Sequence, residues 1–345
     1  MKKTNGMDNF FSINSLDVSS GDSSNDRAPS WKDELRIAFD EKWQSLRTLG
    51  NQPRLHLSQG VTYILEDALN WLNNVSKNSM HAIVTDPPYS IVEYDEKNHS
   101  KLRGGRGGVW RIPPSWDGVK RNPIPRFTVL SREEVGVLRA FFEALGVAAM
   151  RALVPGGHVI IASNPLLSSM TFHSLQEAGL EKRGEIIRLV QTLRGGDRPK
   201  GAENEFPDVT VMARSCWEPW GVFRKPFSGT VAANLRQWGA GGLRRISDGE
   251  PFRDVIACAP TRSRERGIAP HPSLKPQRFL RQVVRASLPL GIGIVYDPFA
   301  GSASTLAAAE AIGYRGLGTE RDASYYEMGC RAFAELARLQ VSSPS

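Results

Sequence analysis

The chain has 345 residues, 40% hydrophobic and 8% aromatic, which excludes a disordered tail protein, a peptide hormone and a collagen-like fibre. That length suits one large domain or two ordinary ones, because single cores rarely grow past about 250 to 300 residues. Lys+Arg 44 against Asp+Glu 36 leaves a formal charge of +8, a bias toward polyanionic partners that names none of them. The three cysteines, Cys216, Cys258 and Cys330, form no C-x-x-C and have no histidine cluster nearby, so neither a disulfide framework nor a metal site is expected. No apolar run approaches the ~18 residues of a membrane span, and the N-terminus lacks a signal-peptide core. The expectation is a soluble protein of a reducing, cytoplasmic compartment.

Residues 1–30 are rich in Ser, Asn, Asp and Gly without sustained periodicity and read as a tail with too little apolar surface to order itself. In 31–50, Trp31, Leu35, Phe39, Trp43 and Leu46 recur at helical spacing, predicting an amphipathic helix. An α/β alternation then begins, running through residues 51–194. VTYIL (61–65) reads as a strand, EDALNWLNNV as a helix, and HAIVT (81–85) as a strand halted by Asp86-Pro87-Pro88-Tyr89. Residues 131–153 predict a helix opened by a capping box of Ser131 and Glu134. Pro155-Gly156-Gly157 is expected to turn the chain into HVIIAS (158–163), followed by a helix at TFHSLQEAGL and strands at EIIRLVQTL and DVTVMA. Residues 195–270 break the rhythm with scattered Gly, Pro, Trp and Arg, as an inserted domain or long loop would. From 271 to 340 the pattern returns as helix (274–288), strand (292–297), helix (305–313), strand (314–320) and a final helix.

Two segments carry chemistry. Ile294 to Thr305 reads as strand, small-residue turn and helix start, where Asp297, Phe299, Ala300, Gly301 and Ser302 would let backbone approach a ligand at a strand's carboxyl end. The next strand ends at Glu320, 23 positions after Asp297, where a carboxylate can accept both hydroxyls of a ribose. The segment is not a G-x-G-x-x-G loop, and no Walker motif exists, which disfavours dinucleotides and nucleoside triphosphates. Taken alone it is equally compatible with a generic strand–turn–helix joint. Asp86-Pro87-Pro88-Tyr89 also follows a strand. Its prolines remove two N–H donors and fix a rigid elbow, so that the Asp86 carboxylate and the Pro87 carbonyl could accept the two protons of an exocyclic amine while Tyr89 offers a stacking face. A structural turn with a capping aspartate is the plainer alternative.

In chain order, Asp86-Pro87-Pro88-Tyr89, His271-Pro272-Ser273-Leu274-Lys275-Pro276 and Asp297-Pro298-Phe299-Ala300-Gly301-Ser302 resemble the amino-methylating DNA methyltransferases of the β arrangement. In that family D/S-P-P-Y/F/W precedes H-P-x-x-K-P and F-x-G-x-G. The resemblance extends over roughly residues 55–195 and 265–340. It implies a Rossmann-like α/β sheet with helices on both faces, a circularly permuted motif order, and an irregular inserted recognition region at 195–270. It implies S-adenosylmethionine as cofactor, held through Ser273, Lys275, Asp297, Phe299, Ala300, Gly301, Ser302 and Glu320, and catalysis by Asp86, Pro87, Pro88 and Tyr89. Where the family has a second glycine this chain has Ala303, whose Cβ is expected to crowd a close approach or a positive φ, which makes cofactor affinity the property to test.

The implied partner is double-stranded DNA bearing a flipped base, with room for a homodimer and a cognate restriction enzyme and no membrane association. Asp at the first motif position leans toward adenine N6 over cytosine N4. Residues 97–126 carry eight basic side chains, among them Lys101, Arg103, Arg106 and Arg111, against one acid, with Trp110 and Trp116 interleaved, a pattern suited to tracking phosphates and equally that of a solvated basic loop. Arg244 and Arg245 in the irregular region are expected at the DNA as well. Cytosine C5 chemistry is disfavoured because no cysteine follows a proline, and the motif order disfavours RNA or protein-glutamine methylation. A DNA-binding protein with a decayed cofactor site, hinted at by Ala303, stays as the non-enzymatic alternative.

Overall fold

The computed structural model describes residues 30–88, 130–190 and 198–341; the expected tail, Tyr89 and the basic loop lie outside these. The amphipathic segment forms α1 (Trp31–Arg47), capped by Ser30 in a capping box with Asp33. Next come β1 (Arg54–His56), β2 (Val61–Leu65), α2 (Ala68–Asn74) and β3 (Met80–Thr85). The capping box of Ser131 and Glu134 opens α3 (Arg132–Ala152), which runs into β4 (Leu153–Ala162), α4 (Ser168–Glu177) and β5 (Glu181–Leu189). Then follow β6 (Trp217–Arg224), α5 (Val231–Trp238), β7 (Val255–Ala257) and α6 (Ser263–Ile268). The chain closes with α7 (Gln277–Ser287), β8 (Ile294–Asp297), α8 (Ser304–Ala311), β9 (Arg315–Glu320) and α9 (Ala323–Arg338).

All nine strands join one mixed sheet in the order β1-β2-β9-β8-β3-β4-β6-β5-β7. From β2 to β4 the pairings are parallel, and β6 runs antiparallel to both of its neighbours. Alternation divides the side chains between two faces. Val159 and Ile161 pack with Phe142, Trp71 and Leu72 beneath α2, α3 and α4, whereas Ile160 and Ala162 pack with Phe279, Leu280 and Val283 of α7. Helices therefore cover both faces, which is why β3 reads as an unbroken buried run.

The structure corrects three sequence readings. No strand forms at DVTVMA (208–213); the strand that pairs with β4 and β5 is β6, residues 217–224, inside the stretch expected to be irregular. Pro219 and Gly221 disguised it. Gly221 is needed there, because a Cβ would lie 2.6 Å from the Phe223 ring and 2.7 Å from that of Phe172. Pro155-Gly156-Gly157 does not turn the chain before a strand but lies within β4, where the pairing with β3 shifts register between Met80 and Ala82.

β8 leads to β9 on one side and β3 leads to β4 on the other, and β8 pairs with β3. The winding reverses between these two strands, and a reversal of this kind opens a crevice at the carboxyl ends of an α/β sheet.

Candidate active site

The carboxyl ends of β8 and β3 meet at Asp297 and Thr85, whose hydroxyl donates to Asp297 Oδ1 at 2.6 Å. Asp297 also accepts the Phe299 N–H at 3.0 Å. Burial pushes this carboxyl up to about 6, outweighing the hydrogen bonds from Thr85, Thr305 and Phe299, and neighbouring Asp86 adds to the rise. Beyond it the backbone curls through Gly301, at φ +48°, and Ala303, at φ +59°, into α8. Gly301 is fixed on three sides. Its N–H donates to Glu320 Oε2 at 3.0 Å, its carbonyl accepts from the buried Tyr63 hydroxyl at 2.6 Å, and a Cβ on it would meet His271 Nε2 at 3.0 Å. His271 stands edge-on to Tyr325, ring centroids 4.5 Å apart, and burial together with Lys275 pushes its pKa down to about 4, so the ring is neutral.

Asp297, Phe299, Gly301, Glu320, His271 and Tyr325 line one cavity with Asp86 and Pro88. Of the expected catalytic residues, Asp86 and Pro88 are thus brought to the Asp297–Ser302 loop, with Pro87 buried beside them. Ser273, Lys275, Asp297, Phe299, Ala300, Gly301, Ser302 and Glu320 all line the same cavity. Ala303 does not. Its methyl group is fully buried among Tyr63, Leu306 and Phe333, close to where a Cβ on Gly329 would stand. The positive φ foreseen for this position is present, but the methyl points into the helix packing and away from the cavity.

Arg244 and Arg245 are not brought to the site. Arg244 donates to the Tyr314 hydroxyl at 2.7 Å, and its N–H donates to Ala286 near the end of α7. Tyr314 immediately precedes β9, whose other end carries Glu320, so both arginines sit at the amino ends of the strands, across the sheet from the cavity. Sequence reading also missed residues that line it: Phe141 of α3, whose ring lies 5.9 Å from that of Phe299, and Asp67, Asp322 and Tyr325. Asp67 and Asp322 were legible only as helix caps.

The donor set suits S-adenosylmethionine. Asp67, Asp86, Asp297, Glu320 and Asp322 line the cavity together with Lys275 and Arg321, an acidic balance that favours a cationic sulfonium and ammonium. Glu320 is pushed up by burial while it accepts backbone N–H groups from Gly301 and Asp322, and carboxylate lone pairs remain for ribose hydroxyls. Phe141 and Phe299 offer apolar surface to a base. Among the described residues no cluster of His, Cys, Asp or Glu could hold a metal ion, and no helix is long and apolar enough to cross a membrane.

Residues 222–331 match the family model described as DNA methylase of the N6/N4 type. Over 289 residues the chain is 24% identical to the type II methyltransferase M.HindIII of Haemophilus influenzae, covering 76% of this chain and 91% of that one. A shorter match of 73 residues, 42% identical, links it to the DNA adenine methyltransferase YhdJ of Escherichia coli and spans 22% of that protein. Among solved structures, PvuII DNA methyltransferase (cytosine-N4-specific) shares the fold, with a TM-score of 0.52, 12% identity and coverage of 85% of this chain and 91% of that one. The resemblance read from the motifs stands, and with it the Rossmann-like methyltransferase fold and S-adenosylmethionine as the family's cofactor.

Proposed function

We propose, from this resemblance to the amino-group DNA methyltransferases, that the chain transfers a methyl group from S-adenosylmethionine to adenine N6 of a base extruded from double-stranded DNA. The observation that carries the reading is that Asp86, after β3, and the Asp297–Ser302 loop, after β8, open onto one cavity although they are far apart in sequence. The cofactor supplies an electrophilic methyl group on a sulfonium. The protein's part is placement and proton handling, since attack by an sp² amine needs alignment within about 3 to 3.5 Å rather than an enzyme nucleophile. Asp86 accepts a proton from the amine as positive charge develops on nitrogen, an electrostatic contribution of the kind that dominates many enzymes. The Pro87 carbonyl takes the second N–H, Tyr89 stacks on the base, and Glu320 holds the ribose. Lys101, Arg103, Arg106 and Arg111 grip phosphates, offsetting the few kcal/mol that extrusion costs.

Asp at the first motif position and the likeness to YhdJ, an adenine methyltransferase, favour adenine. Cytosine N4 is the second reading, because a cytosine-N4-specific enzyme shares the fold. A decayed cofactor site has lost its one sequence hint, since Ala303 keeps clear of the cavity. Mass spectrometry of nucleosides from DNA incubated with the protein and labelled cofactor tests the proposal. N6-methyladenine is expected; N4-methylcytosine would move the activity to the second reading, and no labelled base would refute transfer to DNA. Asp86→Ala is expected to abolish turnover while cofactor and DNA affinities stay within about tenfold.

A further inference from the structure

Lys275, expected at the cofactor, lines the cavity and is also shared between two carboxylates. Its Nζ lies 2.9 Å from Asp86 Oδ2 and 3.1 Å from Glu218 Oε2. Glu218 opens β6, the strand that the sequence concealed, and its Oε1 accepts the Trp220 indole N–H at 2.8 Å and an Arg188 N–H at 3.4 Å. Arg188, near the end of β5, also donates to the Ala259 carbonyl at 3.5 Å and lies over the Phe279 ring. The four charged side chains are between 5% and 14% exposed, and their two positive and two negative charges cancel. The chain Asp86–Lys275–Glu218–Arg188 thus runs along one edge of the sheet, from the end of β3 past β4 to β6 and β5, and terminates on the group proposed to take the proton.

Burying four ions is costly, and apolar side chains of similar volume usually serve stability as well or better. A role in the chemistry accounts for them. In transfer, the amine nitrogen forms a bond to the methyl carbon, the carbon–sulfur bond breaks with its electron pair passing to sulfur, and the nitrogen's proton passes to Asp86. Once Asp86 is neutral, Lys275 has lost one partner. Glu218, already within contact, keeps that ammonium neutralised.

We propose that Glu218 is a positioning residue for the methyl transfer proposed above: by sharing Lys275 it holds the Asp86 carboxylate in place while leaving it basic enough to accept the proton. Without Glu218 the whole charge of Lys275 would fall on Asp86 and weaken it as a base. The other titratable groups facing the pair fit this role. Asp297, at the end of β8, feels the like charge of Asp86; Lys275 and then Arg188 keep Glu218 ionised against its burial; and His271, in the loop that carries Lys275, is neutral. Burial lowers the pKa of Lys275, but Asp86 and Glu218 outweigh it, so the ammonium persists.

Glu218→Gln keeps shape and removes the charge. Calorimetry is expected to show S-adenosylmethionine affinity within about threefold of wild type, while the single-turnover rate at pH 7.5 falls at least about tenfold and the acidic limb of its pH profile moves to lower pH. Glu218→Asp should restore part of the rate. A Glu218→Gln protein with the wild-type rate and profile would overturn the proposal. Thermal unfolding of Asp86→Asn, Glu218→Gln and the double variant reads the sharing without any turnover. Each single change leaves Lys275 one of these two carboxylates and the double change removes both, so the combined loss should exceed the sum. Additive losses would overturn the sharing. A non-additive loss among the variants together with a wild-type protein that methylates no DNA would refute the function and, with it, the role in transfer, while the shared lysine would stand.

Discussion

Ala303 and Gly301 occupy left-handed backbone two residues apart in the same loop, and exchanging their side chains separates local strain from ligand contact. For Ala303→Gly, relief of the left-handed conformation is worth about 1 to 2 kcal/mol. Against it stand one buried methyl group, about 0.8 kcal/mol, and the added chain entropy of glycine, about 0.4 to 1 kcal/mol. These nearly cancel, so stability should change by no more than about 1 kcal/mol. Because the methyl packs among Tyr63, Leu306 and Phe333 and does not line the cavity, the dissociation constant for S-adenosylmethionine should stay within about twofold, or 0.4 kcal/mol. Gly301→Ala differs on both counts. It incurs the same strain with no pocket for the methyl, whose carbon would lie 3.0 Å from His271 Nε2. It also disturbs the loop whose N–H and carbonyl are bound to Glu320 and Tyr63. A cofactor affinity lower by tenfold or more, about 1.4 kcal/mol, is expected. Isothermal calorimetry with parallel unfolding curves measures both quantities. If Ala303→Gly tightened cofactor binding about tenfold, the methyl group would have to face the ligand and could not be packed against Tyr63, Leu306 and Phe333.

Neutralising Arg244 and Arg245 should leave the salt dependence of DNA binding unchanged, because both lie across the sheet from the cavity, whereas neutralising Arg103 and Arg106 should flatten it; binding isotherms at several salt concentrations decide. Gly329→Ala places a Cβ 2.7 Å from the Tyr63 ring and 2.8 Å from the Gly301 carbonyl, and should lower stability by about 1 to 3 kcal/mol in denaturant titrations. His81, His158 and His271 are held neutral, chiefly by burial, with pKa values pushed to about 3, 4 and 4. Their folded values lie below the unfolded one, so the unfolded chain binds protons first and stability should fall as pH drops from about 6.5 toward 4. Asp297 acts in the opposite sense. Its pKa rises from 3.8 to about 6 on folding, so its ionisation costs up to about 3 kcal/mol above pH 6. Asp297→Asn should therefore gain stability at pH 8 and lose that advantage near pH 4.

Periodicity and caps made most of the scaffold legible. The helical spacing from Trp31 to Leu46 announced α1, the capping box at Ser131 announced α3, and the apolar runs at 61–65 and 81–85 announced β2 and β3. β6 was hidden because tertiary constraints chose its residues. Pro219 and Gly221 contradict strand propensity, yet Gly221 is there to admit Phe172 and Phe223, and Glu218 is there for a lysine 57 positions away. The same concealment applies to Phe141, an ordinary apolar position of an amphipathic helix until the fold sets its ring near Phe299. Arg244 and Arg245 show the converse limit, since charge alone does not say which end of a strand a residue adjoins.

What the motifs could not state was their adjacency, and the sheet supplies it. Parallel strands all end at the same edge of the sheet, so two neighbours whose connections lead away in opposite directions present their following loops to one crevice. β3 and β8 are such neighbours, paired Ala82 to Val295 and Ile83 to Tyr296, and the hydrogen bond from Thr85 to Asp297 ties their tips together. The order of the two segments along the chain is immaterial to this geometry: the Asp86 segment comes first in this chain, yet exchanging the order of the segments would leave β3 beside β8. The antiparallel β6 is the exception that completes the site. Because it enters the sheet from the carboxyl side of its neighbours, its first residues, not its last, reach the crevice, and Glu218 arrives at Lys275 by beginning a strand where Asp86 follows one.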